Sequence, residues 1–213
     1  MSASILFVSG IDTDAGKTFA TAFIASQLAR EGRKTGILKL IQTGTGDSRY
    51  TEDETVYRRI APDAIARTGV RLAYPASPKL AARMERRVLT LDGILQPVRE
   101  MAAECDILLV EGAGGMEVPV LDGMTMADIA AREKWELVLV VCGRLGAVNH
   151  TILSLNAARM RGMAIRTVAF NKFGADETLE NDLRDEVRLW LAANSPATET
   201  LDIPVLKFEG TTI

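Results

Sequence analysis

The chain has few cysteines, few rings and no surplus of positive charge, and each shortage removes a class of function. Only two cysteines occur among 213 residues, too few for a disulfide framework and without metal-ligand spacing. Cys105 and Cys142 each sit beside or within apolar runs and read as buried free thiols. Aromatic residues make up 5% of the chain against 47% hydrophobic residues overall, so the core is expected to consist of aliphatic side chains. The formal charge of −3 supplies no footprint for nucleic acid or an anionic membrane surface. No apolar run approaches the length that spans a bilayer, and no basic segment precedes an apolar stretch at the start. A cytoplasmic protein acting on small molecules is the expectation.

What is present is a repeated alternation of apolar runs and helical patterns. Strands are expected over residues 5–8, 36–40, 107–110, 137–141 and 167–170. Between them, helical periodicity runs through Phe19, Phe23, Ile24 and Leu28, and over residues 94–103, 149–161 and 178–193. Gly162 should stop the third of these helices and Asn194-Ser195-Pro196 the fourth. Such alternation predicts one α/β domain over residues 1–213, with a mostly parallel sheet covered by helices on both faces. Residues 43–90, broken by Gly44, Gly46, Pro62, Pro75 and Pro78, read as a long irregular insertion beside the ligand crevice.

Directly after the first strand stands G-I-D-T-D-A-G-K-T, Gly10 to Thr18, with a helix opening at its end. Glycines allow backbone N–H groups close to phosphate oxygens, and the helix N-terminus adds partial positive charge. Lys17 can reach the β and γ phosphates of ATP, and the Thr18 hydroxyl can ligate Mg²⁺. Asp14, Ala15, Gly16 and Phe19 complete this nucleotide-binding segment. Its spacing departs from the general phosphate-loop motif, because five residues separate Gly10 from Gly16. The alternative is a Gly-Lys-Thr that merely caps a helix.

Charged residues at strand ends extend the pattern. Glu111 follows an apolar strand and precedes Gly112-Ala113-Gly114-Gly115, which points its carboxylate into the crevice of an open parallel sheet. Mg²⁺ takes one or two carboxylates alongside phosphate oxygens, so Glu111 and an acid of the Glu52-Asp53-Glu54 cluster are candidate ligands. Either could instead be a solvated acid, the cluster being the face of an exposed helix. Lys39 lies in the apolar stretch Ile37-Leu38-Lys39-Leu40-Ile41, where a buried ammonium needs an anion, expected to be the transferred phosphoryl group. The other reading is an edge lysine that reaches back to water. His150, the only histidine, beside Asn149, reads as a helix-start or packing residue.

Taken in order, these residues resemble the dethiobiotin synthetase family of phosphate-loop enzymes over nearly the whole chain. The carriers are D-T-D-x-G-K-T at Asp12 to Thr18, K-x-I-Q-T-G at Lys39 to Gly44, and the acid Asp53. Further along come Y-P-A-S-P-K-L-A-A at Tyr74 to Ala82, V-E-G-A-G-G at Val110 to Gly115, L-G-A-V-N-H-T at Leu145 to Thr151, and Asn171 with I-P-V-L at Ile203 to Leu206. The resemblance implies Mg²⁺-dependent use of ATP to close a ureido ring on 7,8-diaminononanoate and CO₂. It implies that Thr13, Lys17, Lys39 and Thr43 surround the reacting carbamate and γ-phosphate, and that Thr18, Asp53 and Glu111 hold the metal. It further implies that Asn171, Pro204, Val205 and Leu206 meet the purine. A homodimer would complete the site, the partner's copy of Gly146, Ala147, Val148 and Asn149 holding the diamine's carboxylate. Three positions depart from the family pattern: Ile11, Leu40 and Lys79 stand where threonine, proline and histidine are usual. Amidotransferase relatives carry a further glutaminase domain, and dimer-switching regulatory ATPases carry a lysine near the start of the loop, where this chain has Ile11 and Asp12.

Overall fold

A computed structural model describes residues 3–45, 52–172, 176–204, 207–208 and 211–212. Strands β1 (Ser4–Gly10), β2 (Thr35–Thr43), β3 (Ile65–Leu72), β4 (Ile107–Gly115), β7 (Glu136–Cys142), β8 (Ile165–Asn171) and β9 (Glu199–Ile203) form one sheet, ordered β3-β2-β4-β1-β7-β8-β9. Every pairing in it is parallel. Residues 35–42 of β2 are buried without interruption, as are residues 107–112 of β4 and 137–142 of β7. Continuous burial, rather than alternation, is what a strand shows when helices cover both faces of its sheet.

The helices are α1 (Lys17–Arg30), α2 (Asp53–Ile60), α3 (Pro78–Met84), α4 (Leu91–Ala102), α5 (Met126–Arg132), α6 (Ala147–Met160) and α7 (Glu177–Asn194). Two small antiparallel pairs, β5 (Pro119–Leu121) with β6 (Met124–Thr125) and β10 (Lys207–Phe208) with β11 (Thr211–Thr212), lie outside the main sheet. The core is aliphatic as expected, with Ile37, Leu38, Leu40, Leu108, Leu109 and Val140 fully buried. Ile11 and Leu40, two of the departures from the family pattern, are buried apolar side chains, whereas Lys79 is half-exposed and pairs with Asp122 at 2.6 Å.

The insertion expected to be irregular, residues 43–90, contains α2, β3 and α3. It hid from periodicity because β3 is an edge strand with Arg67 and Arg71 on its exposed positions and Gly69 in its middle. Gly69 is required there by packing, since a Cβ would lie 2.8 Å from the Leu40 carbonyl oxygen of the neighbouring strand. Both arginines are tied to acids: Arg67 to Glu104 at 2.6 Å, and Arg71 to Glu54 at 2.8 Å and also to Glu52. The α6 helix begins two residues before the expected start, so Gly146 occupies its N-cap and His150 lies within its first turn.

The cysteines are free, Cys142 buried and Cys105 half-buried with its thiol donating to the Met101 carbonyl at 3.2 Å. Among the described residues, no helix is long and apolar enough to cross a membrane.

Candidate active site

The site is built where β1, β2 and β4 end. Gly10 closes β1, and a Cβ on it would lie 2.9 Å from both the Ala15 Cβ and the Asp12 carbonyl oxygen, so only glycine lets the loop fold back this tightly. Within the loop, the Asp14 N–H donates to Asp12 Oδ1 at 2.9 Å, and Arg144 pairs with the same Asp12 side chain from the turn after β7. Gly16, at φ +80°, turns the chain into α1 as its N-cap, and no side chain caps the helix. Lys17 opens α1 almost fully buried, its Nζ donating to the carbonyls of Asp12 at 2.8 Å and Thr13 at 3.1 Å. Burial, reinforced by the charge of Lys39, pulls its pKa down to about 8.

Strand register assembles the second part of the site. In the parallel pairing of β2 with β4, Lys39 lies opposite Glu111. Lys39 Nζ sits 2.7 Å from Glu111 Oε1 and 2.6 Å from Asp53 Oδ2, and donates to the Gly112 carbonyl at 3.2 Å. The anions that a buried ammonium requires are here two carboxylates of the protein. Burial alone would lower the Lys39 pKa, but the adjacent Glu111 and Asp53 outweigh it and leave the amine above its ordinary value.

Glu111 is completely buried and accepts four hydrogen bonds among the described residues. Its Oε1 receives Lys39 and the Thr18 hydroxyl at 3.1 Å, while Oε2 receives the Thr21 hydroxyl at 2.9 Å and the Tyr57 hydroxyl at 2.7 Å. Tyr57 is also fully buried, and burial together with the Glu111 charge pushes its phenol well above the ordinary value, keeping it a donor.

Thr13, Lys17, Thr18, Lys39, Thr43, Asp53 and Glu111, all expected from the sequence, line one cleft of about 510 Å³. The cleft is also lined by Pro75, Ala76, Ser77 and Pro78 at the start of α3, by Ala113 and Gly114 at the end of β4, and by Val118 beyond it. Among the described residues no three His, Cys, Asp or Glu side chains form a metal cluster. A cation here would rely on hard oxygens of a different kind, the Asp53 and Glu111 carboxylates with the Thr18 hydroxyl, completed by phosphate. That donor set suits Mg²⁺.

The remaining expected residues lie apart from this cleft. Asn171 and Pro204 stand at the carboxyl ends of β8 and β9. The Asn171 amide donates to the Ala15 carbonyl at 3.1 Å, bracing the phosphate loop, and the residue lines a small recess with Gly143, Glu180 and Arg184. Phe19 and Ala15 are buried in the core, so it is their backbone that faces the loop. Gly146, Ala147, Val148 and Asn149 form the start of α6 and are not part of the cleft wall among the described residues. Val205 and Leu206 lie outside the described residues.

Two functional neighbours were not anticipated, Thr21 and Tyr57. Thr21 is four positions after Lys17 on α1, and its single hydroxyl proton is shared between the Lys17 carbonyl at 2.7 Å and Glu111 Oε2 at 2.9 Å. Tyr57 is four positions after Asp53, so both reach the centre from one face of α2. That i, i+4 spacing within an acidic segment was the available signal.

Comparison with known proteins agrees with this geometry. A family model described as an AAA domain matches residues 4–206. The protein named ATP-dependent dethiobiotin synthetase BioD 2 of Haemophilus influenzae is 36% identical, over 79% of this chain and 91% of its own length. Its namesake from Pasteurella multocida is 32% identical over 94% of this chain and 98% of its own. The dethiobiotin synthetase of Chlorobaculum tepidum is 33% identical over 88% and 81%. Among solved structures, the hydrogenase maturation factor HypB of Archaeoglobus fulgidus superposes with a TM-score of 0.56 at 15% identity, covering 94% of this chain and 81% of that one. The signal recognition particle receptor FtsY of Elizabethkingia anophelis superposes with a TM-score of 0.54 at 16% identity, covering 92% and 57%. At such identities these two share the fold alone. Sequence identity sustained along almost the entire chain places the protein more narrowly than the fold does: it belongs to the ATP-dependent dethiobiotin synthetase family.

Proposed function

We propose that this cleft carries out the Mg²⁺- and ATP-dependent carboxylation and ring closure of 7,8-diaminononanoate to dethiobiotin, a step of biotin biosynthesis. The observation that supports it most directly is the gathering of Lys17, Thr18, Lys39, Asp53 and Glu111 around one cavity at the strand ends. That set can bind a triphosphate and stabilise a phosphoryl group in flight.

In this reading one amine of the substrate takes up CO₂ as a carbamate and releases a proton. The carbamate oxygen attacks the γ-phosphorus of ATP and ADP leaves. The second amine then attacks the carbonyl carbon of the resulting mixed anhydride, and phosphate departs with ring closure. Thr18, Asp53 and Glu111 would hold Mg²⁺, which supplies neutralising charge at the β and γ phosphates. Lys17 binds those phosphates, and Lys39, rigid on β2, stabilises charge on the transferring group. Thr13 and Thr43 offer hydroxyls to the carbamate. Asn171, Pro204, Val205 and Leu206 meet the purine, with Asp14, Ala15, Gly16 and Phe19 contributing backbone to the nucleotide. The enzyme would work in the cytoplasm on the diamine, CO₂ and ATP, without nucleic acid or membrane.

The reading includes a homodimer with the substrate site shared across its interface. Leu145, Leu153 and Met160, which are 84%, 59% and 85% exposed, put apolar surface around α6 that burial against a second copy would cover. The start of α6, carrying Gly146, Ala147, Val148 and Asn149, would then present its free N–H groups to the diamine's carboxylate in the partner's cleft.

Incubation of the purified protein with MgATP, bicarbonate and the diamine, followed by mass spectrometry and phosphate release, tests the proposal. Dethiobiotin in step with phosphate supports it; ATP cleavage that is indifferent to the diamine refutes it.

A further inference from the structure

The two oxygens of Glu111 have unequal surroundings. Oε1 faces Lys39 and Thr18, the groups that border the cleft. Oε2 faces away from it, held at 2.7 Å by the Tyr57 hydroxyl and at 2.9 Å by the Thr21 hydroxyl. Each oxygen has two donors, but Lys39 and Thr18 on Oε1 line the cleft and can turn to a bound phosphate or cation, whereas Tyr57 and Thr21 on Oε2 are fully buried outside it and stay on the carboxylate. We propose that Tyr57, assisted by Thr21, is a specificity-determining positioning residue: it locks Glu111 so that only Oε1 can be offered to a cation, which favours Mg²⁺ over Ca²⁺.

The reasoning is coordination chemistry applied to this geometry, and it rests on the assignment of Glu111 as a metal ligand made above. Mg²⁺ is small and accepts a carboxylate through one oxygen in an octahedral shell. Ca²⁺ takes six to eight oxygens and commonly draws both from one carboxylate. For Glu111 to chelate a larger ion, Oε2 would have to give up the Tyr57 hydrogen bond and its share of the Thr21 proton inside a fully buried pocket where no solvent replaces them. Rotation of the side chain is resisted further because the Tyr57 ring is itself fully buried and fixed in α2. That helix is fastened twice more: Asp53, in its first turn, reaches Lys39, and Arg71 and Thr68 on β3 bind Glu54 at 2.8 and 3.0 Å. The phenol is therefore delivered by a rigid element and not by a mobile side chain.

Tyr57→Phe removes one oxygen and keeps the ring, so packing is preserved while the lock on Oε2 is halved. The measurement is calorimetric titration of Mg²⁺ and of Ca²⁺ into the protein saturated with the non-hydrolysable β,γ-imido analogue of ATP. Loss of an outer partner of a metal ligand lowers affinity by about tenfold or more. The expected result is therefore an Mg²⁺ affinity about tenfold weaker, with Ca²⁺ affinity unchanged or improved. Parallel weakening of both ions, or no change in either, overturns the proposal. Thr21→Val makes the same test from the other donor, and decides the matter by the same two outcomes should the first variant not fold. Glu111→Gln separates this inference from the reading beneath it: undiminished Mg²⁺ affinity there removes Glu111 from the metal site, whereas a loss there with no change of selectivity in Tyr57→Phe removes only the lock.

Discussion

The helices of this protein begin in two different ways. The first turns of α4, α5 and α7 are closed by the chain itself: Thr90 accepts from the Gly93 N–H, Thr125 and Asp128 form a reciprocal capping box, and Asp176 accepts from the Thr178 N–H. The first turns of α1 and α6 are open. Each starts from a left-handed glycine, Gly16 at φ +80° and Gly146 at φ +87°, with no side-chain cap and no acid in the first turn. Neither α2 nor α3 has a side-chain cap, but α2 begins with Asp53 and Glu54 and α3 with Pro78, which has no N–H to satisfy. Closed ends contribute stability, while open ends retain donors and positive potential for an anion from outside. The open ends belong to the helices assigned to ATP phosphate and to the diamine's carboxylate.

The contrast can be broken most severely at α1. Lys17→Ala should reduce dethiobiotin formation by about 10²–10³-fold in a steady-state assay, since it removes the cation that completes this open end. Gly146→Asp places a negative charge at the other open end, with the strain that any side chain carries at φ +87°. It should raise KM for the diamine about tenfold while leaving KM for ATP unchanged. If KM for ATP shifts instead, the α6 end does not serve the substrate carboxylate.

A pH series sharpens the comparison further. Lys17, at about 8 in the free protein, is charged below that pH and neutral above it. Phosphate favours the charged form, so nucleotide binding raises the pKa and takes up a proton in the window above pH 8. Affinity for the imido analogue should fall by up to about tenfold between pH 7 and pH 9, and Lys17→Arg should flatten that slope. Calorimetry in buffers of different ionisation enthalpy reads the proton directly. The smallest effect is expected at a closed end, where Thr125→Ala should cost ~1 kcal/mol in chemical unfolding and leave turnover as it was.

The part of the site built by backbone was legible in the sequence, because a strand, a glycine-bearing loop and Lys17-Thr18 are contiguous. Glu111 and Lys39 were legible for a related reason: a charge inside or just after an apolar strand is conspicuous. Their pairing with each other was not, since it depends on β2 lying next to β4 in a given register. The α2 and β3 segments are hard to read because half of the α2 residues are charged and β3 is a half-exposed edge. Tyr57 shows the limit most clearly: its i, i+4 spacing from Asp53 in D-E-T-V-Y-R-R-I puts the two on one face, but only tertiary packing makes that face the inward one.

The alignment of Lys39 with Glu111 also bears on how the chain reaches its native state. Side chains alternate between the two faces of a sheet, so a slip of β2 by one residue would carry Lys39 to the opposite face. Glu111 would then remain in the interior without its cation, at a cost of about 3–5 kcal/mol. Aliphatic strands as uniform as β2 and β4 discriminate poorly between registers. The Lys39–Glu111 pair would thus serve the folding polypeptide as an alignment mark long before any nucleotide arrives.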